Sequence, residues 1–444
     1  MKLFNGNDIR SNRIYKNVLF SFLLKVIATI ILFAMVPLTL TCLGSYQNGV
    51  WLTISSLLVW IDQMDIGLGN GLRNKLSISI AHQHMEEARK MVSSCMAMLT
   101  CIIVPLAILL LILIQITDVY AFFNVDPECI PTLKRALQAA VIFVCMTFNF
   151  KLIGNVYMGM QIPAASNLII VTGQGFSLVA TWLLLKMGYA SFLNVVIVNT
   201  AVPMLIYIIA YPITFYKVFP LLRPSLSLVN LRSAMSLGGL GVRFFWLQMA
   251  GVIQMMTANI LISKLFSPEI VTPYQIAYRY FSLVLAAFTV ICMPFWNATT
   301  DAYERNDIKW IQYANKRMRT IVIALGLCIV LMVAISPLVY NLWIGSKCEV
   351  PFGITLMVAI YTFIIIASSR YSYFLNGIGA LRLQMYMTVT VVFFIPLAWL
   401  VSHLTHDINY FLAVMCICIA PSWIVNKIQF NKIINGKATG IWKK

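Results

Sequence analysis

Charge is what this sequence has least of. Only 10% of its 444 residues are Asp, Glu, Lys or Arg, against about a quarter in ordinary soluble domains. A soluble surface for a chain this long needs far more charge, so a soluble globular enzyme is excluded. A disordered or fibrous chain would be polar or repetitive, and this one is neither. Strict apolar–polar alternation is missing, which excludes a transmembrane β-barrel. The longest polar intervals, 67–90, 117–135 and 298–319, are too short to fold as separate domains. The ten cysteines form no CxxC pair, so a structural zinc site is not expected. Cys129 and Cys348, both in presumptive outer loops, are the two placed to pair if any do.

What the sequence has in abundance is long apolar runs, such as Cys101–Ile116. About 20 apolar residues cross a bilayer. The runs predict twelve spans near 18–41, 48–66, 91–116, 136–158, 164–185, 190–216, 235–262, 274–297, 320–343, 352–375, 384–403 and 408–430. The first 17 residues are polar and the run after them is long enough to span, so no cleaved leader is expected. The fold class expected is an all-α polytopic membrane protein.

The net charge is +18. In a membrane protein such an excess collects on the cytoplasmic side. With the N-terminus inside, the inner segments carry 22 of the Lys and Arg residues and the outer loops 5. Both termini are therefore expected in the cytoplasm. The basic tail after Phe430 should lie on the anionic inner leaflet. The bilayer accounts for the excess, so no nucleic-acid partner is expected.

Five cations remain inside the spans: Lys25, Lys151, Arg243, Arg279 and Arg370. A charge at mid-bilayer costs from ~2.5 to more than ~10 kcal/mol, so each needs a reason. No intramembrane acid stands at comparable depth. An anionic, amphiphilic molecule in a wet cavity would supply the countercharge, and arginine grips phosphate oxygens in a bidentate fork. Snorkelling to the nearer membrane face is the competing explanation for Lys25, Lys151, Arg279 and Arg370. Arg279, Ser282, Ala286, Thr289, Met293 and Asn297 share one helical stripe, as do Arg243, Trp246, Ala250, Gln254 and Thr257. Such stripes face a cavity or a close helix contact.

Spacing also suggests duplication. Lys25 and Arg243 are 218 positions apart, Lys151 and Arg370 are 219, and Gly159 and Gly377 are 218. The polar stretch from Arg73 resembles that from Asn297. Two parallel six-helix halves, 1–218 and 219–444, would give this pattern, with Lys25 over Arg243 and Lys151 near Arg370. The piece Trp60–Ser77 holds Asp65, Gly67, Gly69, Asn70 and Arg73. It is no dinucleotide fingerprint, because no strand–helix unit surrounds it. It either forms a cytoplasmic gate network or simply caps a helix end. His82 and His84, two positions apart, do not face each other on a helix, so metal binding by them with Glu86 and Glu87 is not expected.

With its span count, loop placement and the Asp-x-Gly-x-Gly piece at Asp65–Gly69, the chain resembles the Wzx-like polysaccharide flippases of the multidrug/oligosaccharidyl-lipid/polysaccharide exporter superfamily. The resemblance covers the whole chain. It implies a MATE-like pair of lobes in a bacterial cytoplasmic membrane and alternating access. It also implies a polyprenyl-pyrophosphate-linked oligosaccharide as cargo, as for O-antigen or lipopolysaccharide precursors. Lys25, Lys151, Arg243, Gln254, Arg279, Ser282 and Arg370 are the candidate substrate-binding set, and Asp65, Gly67, Gly69, Asn70 and Arg73 the candidate gate. No cofactor is expected; a coupling ion, Na+ or H+, is left open. Other membrane proteins of polysaccharide assembly are further partners that the resemblance allows. No Walker loop, hydrolytic triad or metal cluster is present, which favours a secondary transporter over an ATP-driven pump or an enzyme. A cation-coupled drug exporter is the nearest alternative. It would carry intramembrane acids, where this chain has Lys25. A membrane polymerase or ligase is the more distant one, and lacks its large outer loop here.

Overall fold

The computed structural model describes residues 9–62, 68–230, 257–380, 382–387 and 393–443. Among them every regular element is helical. The chain divides into two compact units, Met1–Gln248 and Met249–Lys444. The residues 219–230 belong with the first unit because they are tied down on it. Arg89 Nε donates to the Arg223 carbonyl at 2.8 Å. The amides of Ser225 and Asn230 donate to Ser93 Oγ (3.0 Å) and Ser94 Oγ (2.9 Å).

The first unit contains α1 (Ile9–Asp62), α2 (Leu68–Ala81), α3 (Met85–Ile116), α4 (Val119–Phe123), α5 (Leu133–Phe150), α6 (Leu152–Gly159), α7 (Pro163–Lys186) and α8 (Phe192–Pro212). A π-helical turn, Ile213–Val218, follows α8. The second unit contains α9 (257–265), α10 (Pro268–Glu304), α11 (Ile308–Ile344), α12 (Phe352–Ile378), α13 (Arg382–Met387), α14 (Phe394–Thr405) and α15 (Ile408–Ile434). Nine helices among the described residues are long and apolar enough to cross a membrane.

Several boundaries differ from the sequence reading. The first two spans are joined by one kink rather than a loop. Gly44 sits there at φ 70°, ψ 175°, a region open essentially to glycine alone. The intervals 67–90 and 298–319 are mostly helical: α2 and α3 meet at a turn of a few residues, as do α10 and α11. Asp307 makes the second of these turns possible, because its carboxylate accepts the Trp310 amide at 3.0 Å and caps α11. The eleventh span is described only as α13 and the twelve-residue α14. The seventh lies largely outside the described residues.

Three turns of the first unit have counterparts in the second, two at the 218-residue spacing of the glycines and one at 223. Gln83 (φ 61°) and Asn306 (φ 58°) are 223 positions apart. Each is followed by the same 2.8 Å bond, from the His84 amide to the Ser79 carbonyl and from the Asp307 amide to the Ala302 carbonyl. Gln161 (φ 61°) and Gly379 (φ 81°) are 218 apart, as are Gly188 (φ 74°) and His406 (φ 51°). After α6 the Ile162 amide returns to the Tyr157 carbonyl, and after α12 the Ala380 amide returns to the Leu375 carbonyl, both at 2.9 Å. This is a Schellman closure.

The core of the first unit is aliphatic: Val50, Ile54, Leu72, Leu76, Ala136, Ala140 and Val156 are all fully buried. The second is centred on phenylalanines 281, 288, 374, 394, 411 and 430.

Candidate functional site

Each unit carries its own part of the candidate site. On α1, Leu24 is buried while Lys25 is exposed among Phe22, Leu23, Val26 and Ile27. Lys25 therefore stands on the face that α1 turns away from its own unit. Lys151 sits at the joint between α5 and α6 and is half-buried.

The gate piece meets α6. Arg73 is exposed on α2, and one of its terminal nitrogens lies 3.9 Å from Met158 Sδ. Next to it Gly159 is a close-approach glycine. A Cβ built there would stand 2.9 Å from Leu76 Cδ2 and 3.2 Å from the Arg73 carbonyl oxygen. Gly69 is buried within α2, and Asn70 lies on the same helix. Asp65 and Gly67 lie outside the described residues.

In the second unit Arg279 and Ser282 lie one turn apart on α10. Ser282 turns its hydroxyl to the Arg279 carbonyl at 2.6 Å, so that polar group is spent on its own helix. Further along the stripe Ala286 and Thr289 are exposed, while Phe281, Val284 and Phe288 on the other face are buried. The stripe therefore faces away from the core of its own unit. Met293 and Asn297 have side chains outside the described set, as do Arg243 and Gln254.

Arg370 is placed differently. It is 8% exposed and enclosed between α11 and α12. Its Nε and Nη2 donate to Asn315 Oδ1 at 2.9 and 2.7 Å, and Nη2 also donates to the Asn315 carbonyl at 3.0 Å. The guanidinium lies 4.7 Å from the ring centre of Tyr371. That fork ties two helices together. Arg370 is also some seven residues further from the start of its helix than Arg279 is from its own, roughly 10 Å along the axis. The structure does not gather these two arginines at one level.

Several polar residues escaped the sequence reading. Gln275, four positions before Arg279, extends the stripe and donates to Asn259 Oδ1 at 2.6 Å. Its i−4 spacing was the signal. Asn315 is 55 positions from Arg370, and no local pattern announces the pair. Asn426 is buried on α15 and donates to Ser372 Oγ at 2.9 Å and Ser368 Oγ at 3.3 Å, flanking Arg370 on α12. Among the described residues no group of three His, Cys, Asp or Glu side chains could hold a metal ion. Cys129 and Cys348 are both free thiols.

Comparison of the whole chain with solved structures returns MATE transporters. The inward-facing conformation of a multidrug resistance MATE family transporter of the MOP superfamily matches with a TM-score of 0.79 at 15% identity, over 92% of this chain and 95% of that one. The outward-facing conformation of such a transporter matches with 0.64 at 14% identity, over 94% and 96%. A MATE in complex with MaL6 matches with 0.62 at 15% identity, over 93% and 96%. No family model and no curated protein matches the sequence. The chain is a multi-pass membrane protein with a MATE-like fold. Identities this low carry the fold and leave the cargo to be argued from the residues.

Proposed function

We propose that this protein is a secondary transporter that moves an anionic, lipid-linked substrate across the bacterial cytoplasmic membrane. The cargo is a polyprenyl-pyrophosphate-linked oligosaccharide, and the lobes alternate access to the two sides. The observation that carries the reading is the sign of the intramembrane charge. The 14 acids of the chain all stand at span ends or in connections, while Lys25, Arg243 and Arg279 stand within spans. Of the two that are described, Lys25 is exposed on α1, and Arg279 is half-buried on α10 at the head of a stripe that continues through the exposed Ala286 and Thr289.

A cation exposed within a membrane requires water, a carbonyl or an anion. A pyrophosphate passing several weakly binding cations satisfies them in turn and leaves again. A cationic drug would be repelled by the same residues, which disfavours the multidrug reading. Arg370 is outside this path in the proposal, because Asn315 occupies its fork. Arg73 and the α2–α6 contact at Gly159 form the cytoplasmic gate. Both termini face the cytoplasm.

Deletion of the gene, followed by identification of the lipid that accumulates, tests the cargo. A polyprenyl-pyrophosphate sugar held on the inner leaflet is expected. Unchanged lipid-linked sugars together with a gain in drug sensitivity would replace this reading by the exporter reading. Arg243→Ala should abolish complementation at normal membrane abundance. Arg243→Lys should retain part of it, since charge survives and the fork is lost.

A further inference from the structure

The cations and stripes leave one cavity of the first unit unused. It encloses about 390 Å3, within the ~300–1,000 Å3 of small-molecule sites. Met96, Ala97 and Cys101 of α3 form one wall, Tyr211 near the end of α8 another, and Leu226 and Val229 of the linker the roof. That roof is fastened rather than loose. The three bonds from Arg223, Ser225 and Asn230 to α3 hold it in place.

The rim has the opposite character from the walls. Arg89 stands one turn before Ser93 on α3, Arg223 immediately precedes the roof, and Lys217 closes the π-helical turn. The Arg223 guanidinium carbon lies over the Tyr216 ring, 4.2 Å from its centre. The nearby acids are engaged elsewhere. Glu86 pairs with Lys90 at 2.8 Å, and Glu87 faces His84 at 3.6 Å. The same linker exposes Leu221 and Leu226, the latter by 89%. Exposed leucines beside cations that form no ion pair among the described residues are the composition of a segment lying at a bilayer interface.

We infer that this cavity binds one anionic glycerophospholipid of the adjoining leaflet. The phosphate sits at Arg89, Arg223 and Lys217, and an acyl chain enters between α3, Tyr211 and the linker. A site open to the bilayer through its exposed leucines fills by mass action with the abundant anionic lipid rather than with a scarce carrier lipid. Bound there, the lipid joins the linker to α3. This inference stands on the cavity and its rim and is independent of the cargo proposed above.

The probe is phosphatidylglycerol, with phosphatidylcholine as the neutral reference. Each is titrated into the full-length purified protein, and the lipid retained per chain is read by native mass spectrometry. One phosphatidylglycerol per chain, above the phosphatidylcholine background, is expected. Lys217→Ala should weaken retention about fivefold, and Arg89→Ala with Arg223→Ala by more than tenfold. Because Arg89 also holds the linker, Ala97→Trp serves as a second variant. It fills the cavity without touching a cation and should abolish retention at an unchanged elution volume and helix content. Retention that survives Ala97→Trp, equal retention of phosphatidylcholine, or displacement of the phosphatidylglycerol by equimolar undecaprenyl phosphate would each overturn the inference.

Discussion

In the first unit the helix leading to the close-approach glycine tightens at Lys151, whose amide still donates to the Thr147 carbonyl at 2.8 Å while its carbonyl accepts the Gly154 amide at 2.9 Å. In the second the corresponding helix, α12, runs unbroken past Arg370 to Ile378. The two cations are 219 positions apart and the two glycines 218. Yet one cation stands half-buried at a helix joint, while the other is enclosed and held by three hydrogen bonds. The difference follows from side-chain chemistry. A guanidinium can meet a fixed amide with several directed donors, whereas an ammonium is a compact, strongly hydrated charge. The exit segments differ as well. The linker of the first unit is pinned to α3 and roofs a cavity. The tail of the second folds back, with the Lys432 ammonium 4.0 Å from the ring centre of Trp442.

The largest stability effect should come from the more deeply buried cation. Arg370→Ala should cost roughly 1.5–3 kcal/mol, the range for a hydrogen-bonded charged group, while Lys151→Ala should cost less than half as much. Melting temperatures of the solubilised variants check this. Equal losses would remove the distinction between the two cations.

The glycines come next. A Cβ at Gly377 would stand 2.9 Å from both the Trp296 carbonyl oxygen and Thr299 Cβ, neither of which can swing aside. At Gly159 the nearest atom is the end of a leucine. Gly377→Ala should therefore cost about 1–3 kcal/mol, typical of overpacking, and Gly159→Ala less. The same denaturation series, run on both, would refute the ranking if Gly159→Ala proved the more harmful.

The smallest effect is a gain. Gln161 adopts a left-handed conformation that Gly379 supplies at the matching turn. Gln161→Gly should raise stability by up to about 1 kcal/mol through relief of that conformation. A loss would show that the glutamine side chain contributes more than its backbone costs.

Much of this was legible before any coordinates. Apolar runs located the helices, because a bilayer admits little else. The glycine spacing pointed to two close approaches, and both Gly159 and Gly377 stand where an added Cβ would meet a neighbour at 2.9 Å. What stayed hidden was of two kinds. The polar extensions of α2, α10 and α11 read as loops, since charge near a span end resembles a loop until caps such as Asp307 are recognised. Arg370 was grouped with the cavity cations because its acceptor, Asn315, is distant in sequence. Composition shows where a charge lies and is silent on what holds it. The reverse holds for Lys25: its exposure on α1 belongs with the transport proposal.

Lys25 is accordingly the position for the deciding measurement. Lys25→Ala should leave membrane abundance and melting temperature close to those of the parent, and should abolish rescue of a strain lacking the gene. Lipid-pyrophosphate-linked sugar should build up on the inner leaflet. Full rescue by Lys25→Ala at normal abundance would contradict the claim that exposed intramembrane cations carry an anionic lipid-linked cargo.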